Sequence, residues 1–128
     1  MSTDWMHHDR IDCHVHVLDP KRFAYAANAP FHPGGGETGS AAYLGRVLDA
    51  HRIQHALIVG PNSGYNLDKR CLLDALAQGA GRYKGMAVFR SYTSGEHLQE
   101  LQAQGRGGRC LPGRPVWHGF LRRHRSAA

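Results

Sequence analysis

RIDCHVHVLDP (Arg10–Pro20) is the stretch on which the reading of the whole chain turns. Ile11, Cys13, Val15 and Val17 alternate with Asp12, His14, His16 and Leu18. Period two fits a strand whose successive side chains point to opposite faces, so His14 and His16 share one face. Asp19-Pro20 closes the strand, because the residue before a proline is pushed out of the helical region.

Downstream, Lys21–Gly39 reads as a long loop that carries Phe23, Tyr25 and Phe31 and ends in PGGGETG. A loop of this length in a compact domain is usually functional or disordered, and the aromatics favour a role in lining or covering a pocket. Ser40 is placed to cap a helix running to about Arg52, with Leu44, Val47, Leu48 and His51 on the i, i+3, i+4, i+7 stripe. HALIVG (His55–Gly60) is a short apolar run between turn residues, hence a buried strand, and PNSGYN is the loop after it. Asn66 is placed to cap the next helix, with Asp68 at its positive end and Leu72, Leu73, Leu76 and Ala80 on its buried side. KGMAVF (Lys84–Phe89) is a third buried strand. Thr93-x-x-Glu96 has the form of a capping box before a third helix, which ends at Gly105. Strand–helix alternation with nearly continuous apolar strands predicts parallel pairing with helices covering the sheet. Right-handed crossovers leave two architectures, a doubly wound sheet or part of a barrel.

The chain has 128 residues, 41% of them hydrophobic, which allows one domain with a real core. It holds no apolar run near 18 residues and no secretory apolar region at its start, so the expected location is the cytoplasm, with no membrane partner. Cys13, Cys71 and Cys110 are odd in number and widely spaced, which suits reduced thiols. The formal net charge is +6, but its distribution is uneven. Residues 1–105 contain ten Lys or Arg and all ten acids, whereas the last 23 residues hold six Arg and no acid. This divides the chain into a frayed start (1–9), an α/β portion (10–105) and a basic tail (106–128).

Two imidazoles on one strand face can reach one cation, and neutral imidazole is a good ligand for zinc and similar metals. Ten histidines in 128 residues give roughly 0.8 HxH pairs by chance, so spacing alone leaves hydrogen-bonded strand-end histidines as the alternative. Context adds weight, because the loops after strands build the active site in parallel α/β folds. GGGETG (Gly34–Gly39) matches GxGxxG, but a long loop separates it from the strand and no acidic residue sits suitably on a second strand end, so a nucleotide site is not expected. Ser63 stands where a substrate contact could be made, or is simply a turn serine. In the tail, Arg interleaved with Trp117 and Phe120 suits RNA or an acidic surface; a solvated, disordered extension is the plainer alternative.

Taken together, IDCHVHVLDPKRFAY, ALIVGPNSGYNLDKRCLLDAL and RYKGMAV resemble the start of the "family 2" TIM-barrel hydrolases of the amidohydrolase superfamily. The similarity is greatest to the 2-pyrone-4,6-dicarboxylate lactonase-like branch and covers about Arg10–Gly105. It implies the first three βα units of a (β/α)8 barrel, with His14 and His16 at the carboxyl end of strand one. It further implies hydrolysis of a small carboxylated lactone or related cyclic compound. His14 and His16 would then be catalytic residues or ligands of a divalent metal such as zinc. In the lactonase-like branch, which is thought to work without a metal, they would help polarise the lactone carbonyl. Phe23, Tyr25, Asn62 and Ser63 would lie near the small-molecule substrate. Two departures stand out. The family's later histidine and catalytic aspartate have no counterpart, so the barrel is expected to be incomplete and this chain by itself inactive. Beyond Gly105, where the family enters an apolar fourth strand, this chain reads RGGRCLPGRPVWHG, as a GC-rich coding region does out of frame.

Two other function classes fit the same residues. A short α/β protein could complete its sheet by forming a homo-oligomer, without catalysis. A basic-tailed module could bind nucleic acid, the less expected of the two.

Overall fold

In a computed structural model, the structure describes residues 8–90, 93–104 and 110–113. Strand β1 is Ile11–Val15, helix α1 Ala41–Ala50, β2 His55–Val59, α2 Arg70–Gly79, β3 Tyr83–Val88, α3 Gly95–Gln104 and β4 Cys110–Gly113. All four strands pair in parallel, in the order β1-β2-β3-β4. This order separates the two architectures that alternation left open. A doubly wound sheet reverses its strand order at a switch point. Here each strand is simply added beside the last, which is the winding of (β/α) barrel units.

The helices cover one face. Helix α2 packs on β3 and on α1. A Cβ on Gly85 would come within 2.8 Å of the Leu76 side chain, so this glycine lets α2 lie close against the strand. Gly85 pairs in register with Ile58, and Tyr83 with Ala56, which puts Ala56, Ile58, Tyr83, Gly85 and Ala87 on the helix-covered face. Leu48, Ile58 and Leu76 are the largest fully buried side chains there. The opposite face, with Leu57, Val59, Met86 and Val88, is half-exposed.

Helix ends follow side-chain chemistry. Ser40 caps α1 as expected, its hydroxyl accepting from the Tyr43 N–H. The other two caps differ. Asn66 is not a cap: it takes a left-handed φ of 50° in the preceding turn, and Asp68 accepts from the Arg70 N–H instead. The capping hydroxyl of α3 belongs to Ser94, which accepts from the His97 N–H, because Thr93 donates its hydroxyl back to the Arg90 carbonyl. The amino end of the sheet is closed by Arg82, which donates to the carbonyls of Ile53 and Gln54 and pairs with Asp49 at 2.7 Å.

Two departures from the expected pattern bear on function. Strict alternation in the first strand fails: Ile11 is 61% exposed while Val17 is 4% exposed, because a bulge separates them. The stretch read as having lost its fourth strand also contributes one. Cys110–Gly113 pairs with Gly85–Val88 at the edge of β3. An open strand edge offers backbone N–H and C=O groups to any extended segment, so pairing needs no apolar pattern, and Pro112 is tolerated there because an edge strand can spare one donor. The rest of the basic tail, including Trp117 and Phe120, lies outside the described residues.

Candidate active site

The carboxyl ends of β1 and β2 bring the motif residues together. His14 is in β1 and His16 one residue beyond it; both are exposed. Their rings meet edge to face with centroids 5.0 Å apart. His16 Nδ1 lies 2.7 Å from the Val59 carbonyl oxygen at the end of β2. A carbonyl oxygen only accepts, so Nδ1 carries the hydrogen, and Nε2 is the nitrogen left to meet a ligand.

Asn62 and Ser63 follow directly in the β2–α2 loop, Asn62 exposed and Ser63 half-buried. Tyr25 sits in the β1–α1 loop, which is tied to that second loop along its length. Gly64 donates to the Phe31 carbonyl at 2.7 Å and accepts from the Ala26 N–H at 2.8 Å. The Tyr25 hydroxyl donates to the Pro33 carbonyl at 2.8 Å, and its ring stacks on His32. Tyr25 therefore holds the loop with its polar end. Phe23 is packed against the core and Phe31 is 55% exposed. The glycine stretch forms one exposed 3-10 turn, Gly35–Glu37, within this loop.

Tyr65, which no motif in the sequence marks, is the main fastening between the loops. It is 2% exposed. Its hydroxyl accepts from the Asp19 N–H and donates to the Phe23 carbonyl, both at 3.0 Å. Burial pushes its pKa far above the usual tyrosine range. The neighbouring Cys71 thiol is also raised by burial, and its Sγ lies 3.7 Å from the Val17 carbonyl. Tyr65→Phe leaves a part-buried N–H and a part-buried carbonyl without that partner, and should lower the unfolding free energy by about 1–3 kcal/mol. Urea denaturation checks this, and a change below about 0.5 kcal/mol would contradict it.

Charge is ordered around the same edge. Arg22 clamps Asp74 through two bonds of 2.7 and 3.0 Å and holds its carboxyl below the usual range. Asp68 is lowered in the same way by Arg70. Lys69 donates to the Leu67 carbonyl and sits 4.8 Å over the Phe89 ring. It borders an open groove of about 410 Å3 at the carboxyl end of β3, shared with Arg90, Thr93, Ser94 and His97.

A catalytic zinc is held by three protein donors. Among the described residues no three His, Cys, Asp or Glu side chains gather to hold an ion. His14 and His16 offer two donors, and the described residues do not complete the set. No helix among the described residues is long and apolar enough to cross a membrane.

No family model and no curated protein matches the chain. Solved structures do. A probable 2-pyrone-4,6-dicarboxylic acid hydrolase from Acinetobacter baumannii, crystallised with citric acid bound, aligns with a TM-score of 0.65 and 28% identity over 90% of this chain. An apo structure from Agrobacterium tumefaciens aligns with a TM-score of 0.65 and 20% identity over 84% of this chain, and shows the fold alone. The alignments span 45% and 38% of those two proteins, so this chain corresponds to less than half the length of either. The likeness agrees with the sequence resemblance in fold, and in the hydrolase name that the first neighbour carries.

Proposed function

We propose that this chain is the amino-terminal portion of an amidohydrolase-type enzyme that hydrolyses a small carboxylated lactone, with His14 and His16 as its first two catalytic residues. One observation carries the reading: both imidazoles stand together at the carboxyl edge of a parallel sheet, on its open face, with His16 Nδ1 already committed to the Val59 carbonyl. In hydrolysis, water adds to the lactone carbonyl carbon, the ring C–O bond breaks, and the departing oxygen takes a proton to give the open acid. The protonated His16 ring can donate from Nε2 to the carbonyl oxygen as negative charge develops there. His14 braces that ring edge to face. Asn62 and Ser63 border the same edge, and Lys69 supplies a cation for a substrate carboxylate. If a divalent ion takes part, His14 and His16 are two of its ligands and the others come from beyond the described residues.

Titrating the labelled chain with 2-pyrone-4,6-dicarboxylic acid tests this. The ring resonances of His14 and His16 should shift in saturable fashion, and those of His51 and His55 at the opposite end should stay in place. Shifts spread evenly over the surface would sink the reading. The resemblance puts the group that activates water on a later strand, so the 128-residue chain should bind without turnover. Turnover by this chain that disappears in His14→Ala would overturn that part.

A second reading has one observation in its favour. The half-exposed face of Leu57, Val59, Met86 and Val88 would be covered if two copies paired β4 to β1. Light scattering decides it: a sharp dimer supports pairing of copies, and a monomer at high micromolar concentration removes it.

A further inference from the structure

We propose that Asp12 is a positioning residue: its carboxylate holds a bulge in β1 that turns His14 and His16 out of the core and onto the open face of the sheet. The relevance to hydrolysis rests on the function proposed above; the geometry does not.

The register shows the switch. Asp12 pairs with Ala56, which is 3% exposed and lies on the helix-covered face. Under unbroken alternation Asp12, His14 and His16 would all share that face, with two imidazoles pressed under the helices. The next pair is Val15 with Ile58, so three residues of β1 are spent against two of β2. A slip of one residue exchanges the two faces of a strand. Ile11, before the slip, is 61% exposed on the open side; Val15, after it, packs against the core, and Val17 is 4% exposed. The histidines are thereby exposed. Bulges beside active sites commonly re-aim side chains in this way.

A bulged residue loses its place in the ladder, and its N–H needs an acceptor. The His14 N–H donates to Asp12 Oδ1 at 3.0 Å. A short carboxylate two residues back reaches this position without bending the chain elsewhere, which is the geometry of an Asx turn. Glutamate would overshoot and alanine offers no acceptor. Asp12 thus acts on the imidazoles through the backbone of His14.

The test uses the full 128-residue chain, labelled with 15N and 13C, with Asp12→Ala, Asp12→Asn and Asp12→Ser. Three readouts are followed by NMR: hydrogen exchange of the His14 amide, the Val15–Ile58 cross-strand contact, and the His16 Nδ1–H tautomer. Asp12→Ala is expected to speed His14 exchange by at least about tenfold and to lose the other two signatures. Asn and Ser keep an oxygen acceptor, and should hold all three, with exchange within about threefold of the parent. Asp12→Ala that retains the register and tautomer overturns the proposal, as do Asn and Ser variants that lose them as fully as Ala. If Ala fails to fold while Asn and Ser fold normally, the acceptor is required and the proposal stands; if none of the three folds, it falls. None of these readouts depends on hydrolysis, so a failed lactone assay leaves this result to be judged separately.

Discussion

His16→Ala, in the native protein isolated from its host, is expected to reduce kcat/KM for hydrolysis of a carboxylated lactone by about 10^2–10^4-fold. That corresponds to about 2.7–5.4 kcal/mol of transition-state stabilisation. The size follows from how the ring is held. Donation from Nδ1–H to the Val59 carbonyl at 2.7 Å fixes tautomer and orientation before substrate arrives. Nε2 holds a lone pair in that tautomer and donates to the developing oxyanion only from the protonated ring of the proposed step, where the orientation already fixed spares it reorganisation. The ring is exposed, so the same change should alter unfolding free energy by less than about 1 kcal/mol. Steady-state kinetics beside a urea curve separates the two effects. A kcat/KM within threefold of the parent would remove His16 from the reaction, whereas a native protein that hydrolyses no carboxylated lactone would remove the reaction itself.

Gly64→Val should cost about 2–5 kcal/mol in stability, from two sources that act at one atom. The residue has a φ of 73°, and a side chain in the left-handed region costs about 1–2 kcal/mol. A Cβ there would also lie 2.7 Å from the Tyr25 ring, and overpacking of this kind costs about 1–3 kcal/mol. Tyr25 cannot easily step aside, because its hydroxyl is bonded to Pro33 and its ring is stacked on His32. Backbone bonds from Gly64 to Phe31 and Ala26 would be strained together, loosening the β1–α1 loop from the β2–α2 loop. Urea denaturation gives the total. Adding Tyr25→Ala removes the clash and leaves the backbone term, so the double variant should be less destabilised than the two single changes summed. A loss below 1 kcal/mol for Gly64→Val alone would show that the two loops are not locked at this point.

Much of the candidate site could be read before any coordinates. Spacing two on a strand put His14 and His16 on one face, and position after a strand put Asn62 and Ser63 at the same edge. The roles of Tyr25 and Tyr65 could not be read. Both look like loop aromatics in sequence, and the part each plays in holding the loops is set by where its hydroxyl goes: to Pro33 from Tyr25, and between Asp19 and Phe23 from Tyr65. Those partners lie up to 46 residues away, and no local pattern encodes them.

By itself the sequence determined the parallel α/β class, the places of three strands and three helices, and the Ser40 cap. These depend on contrast between apolar and polar positions along one element, or on a side chain reaching its own backbone, and both are local. Only the tertiary structure decided the winding β1-β2-β3-β4, the bulge that brings the two imidazoles to the open face, the stapling of the loops at Gly64 and Tyr65, and the strand at Cys110–Gly113. Each of these is a choice of neighbour. Periodicity says which side of a strand avoids water; it does not say which backbone lies alongside, and a slip of one residue against that backbone exchanges the two sides.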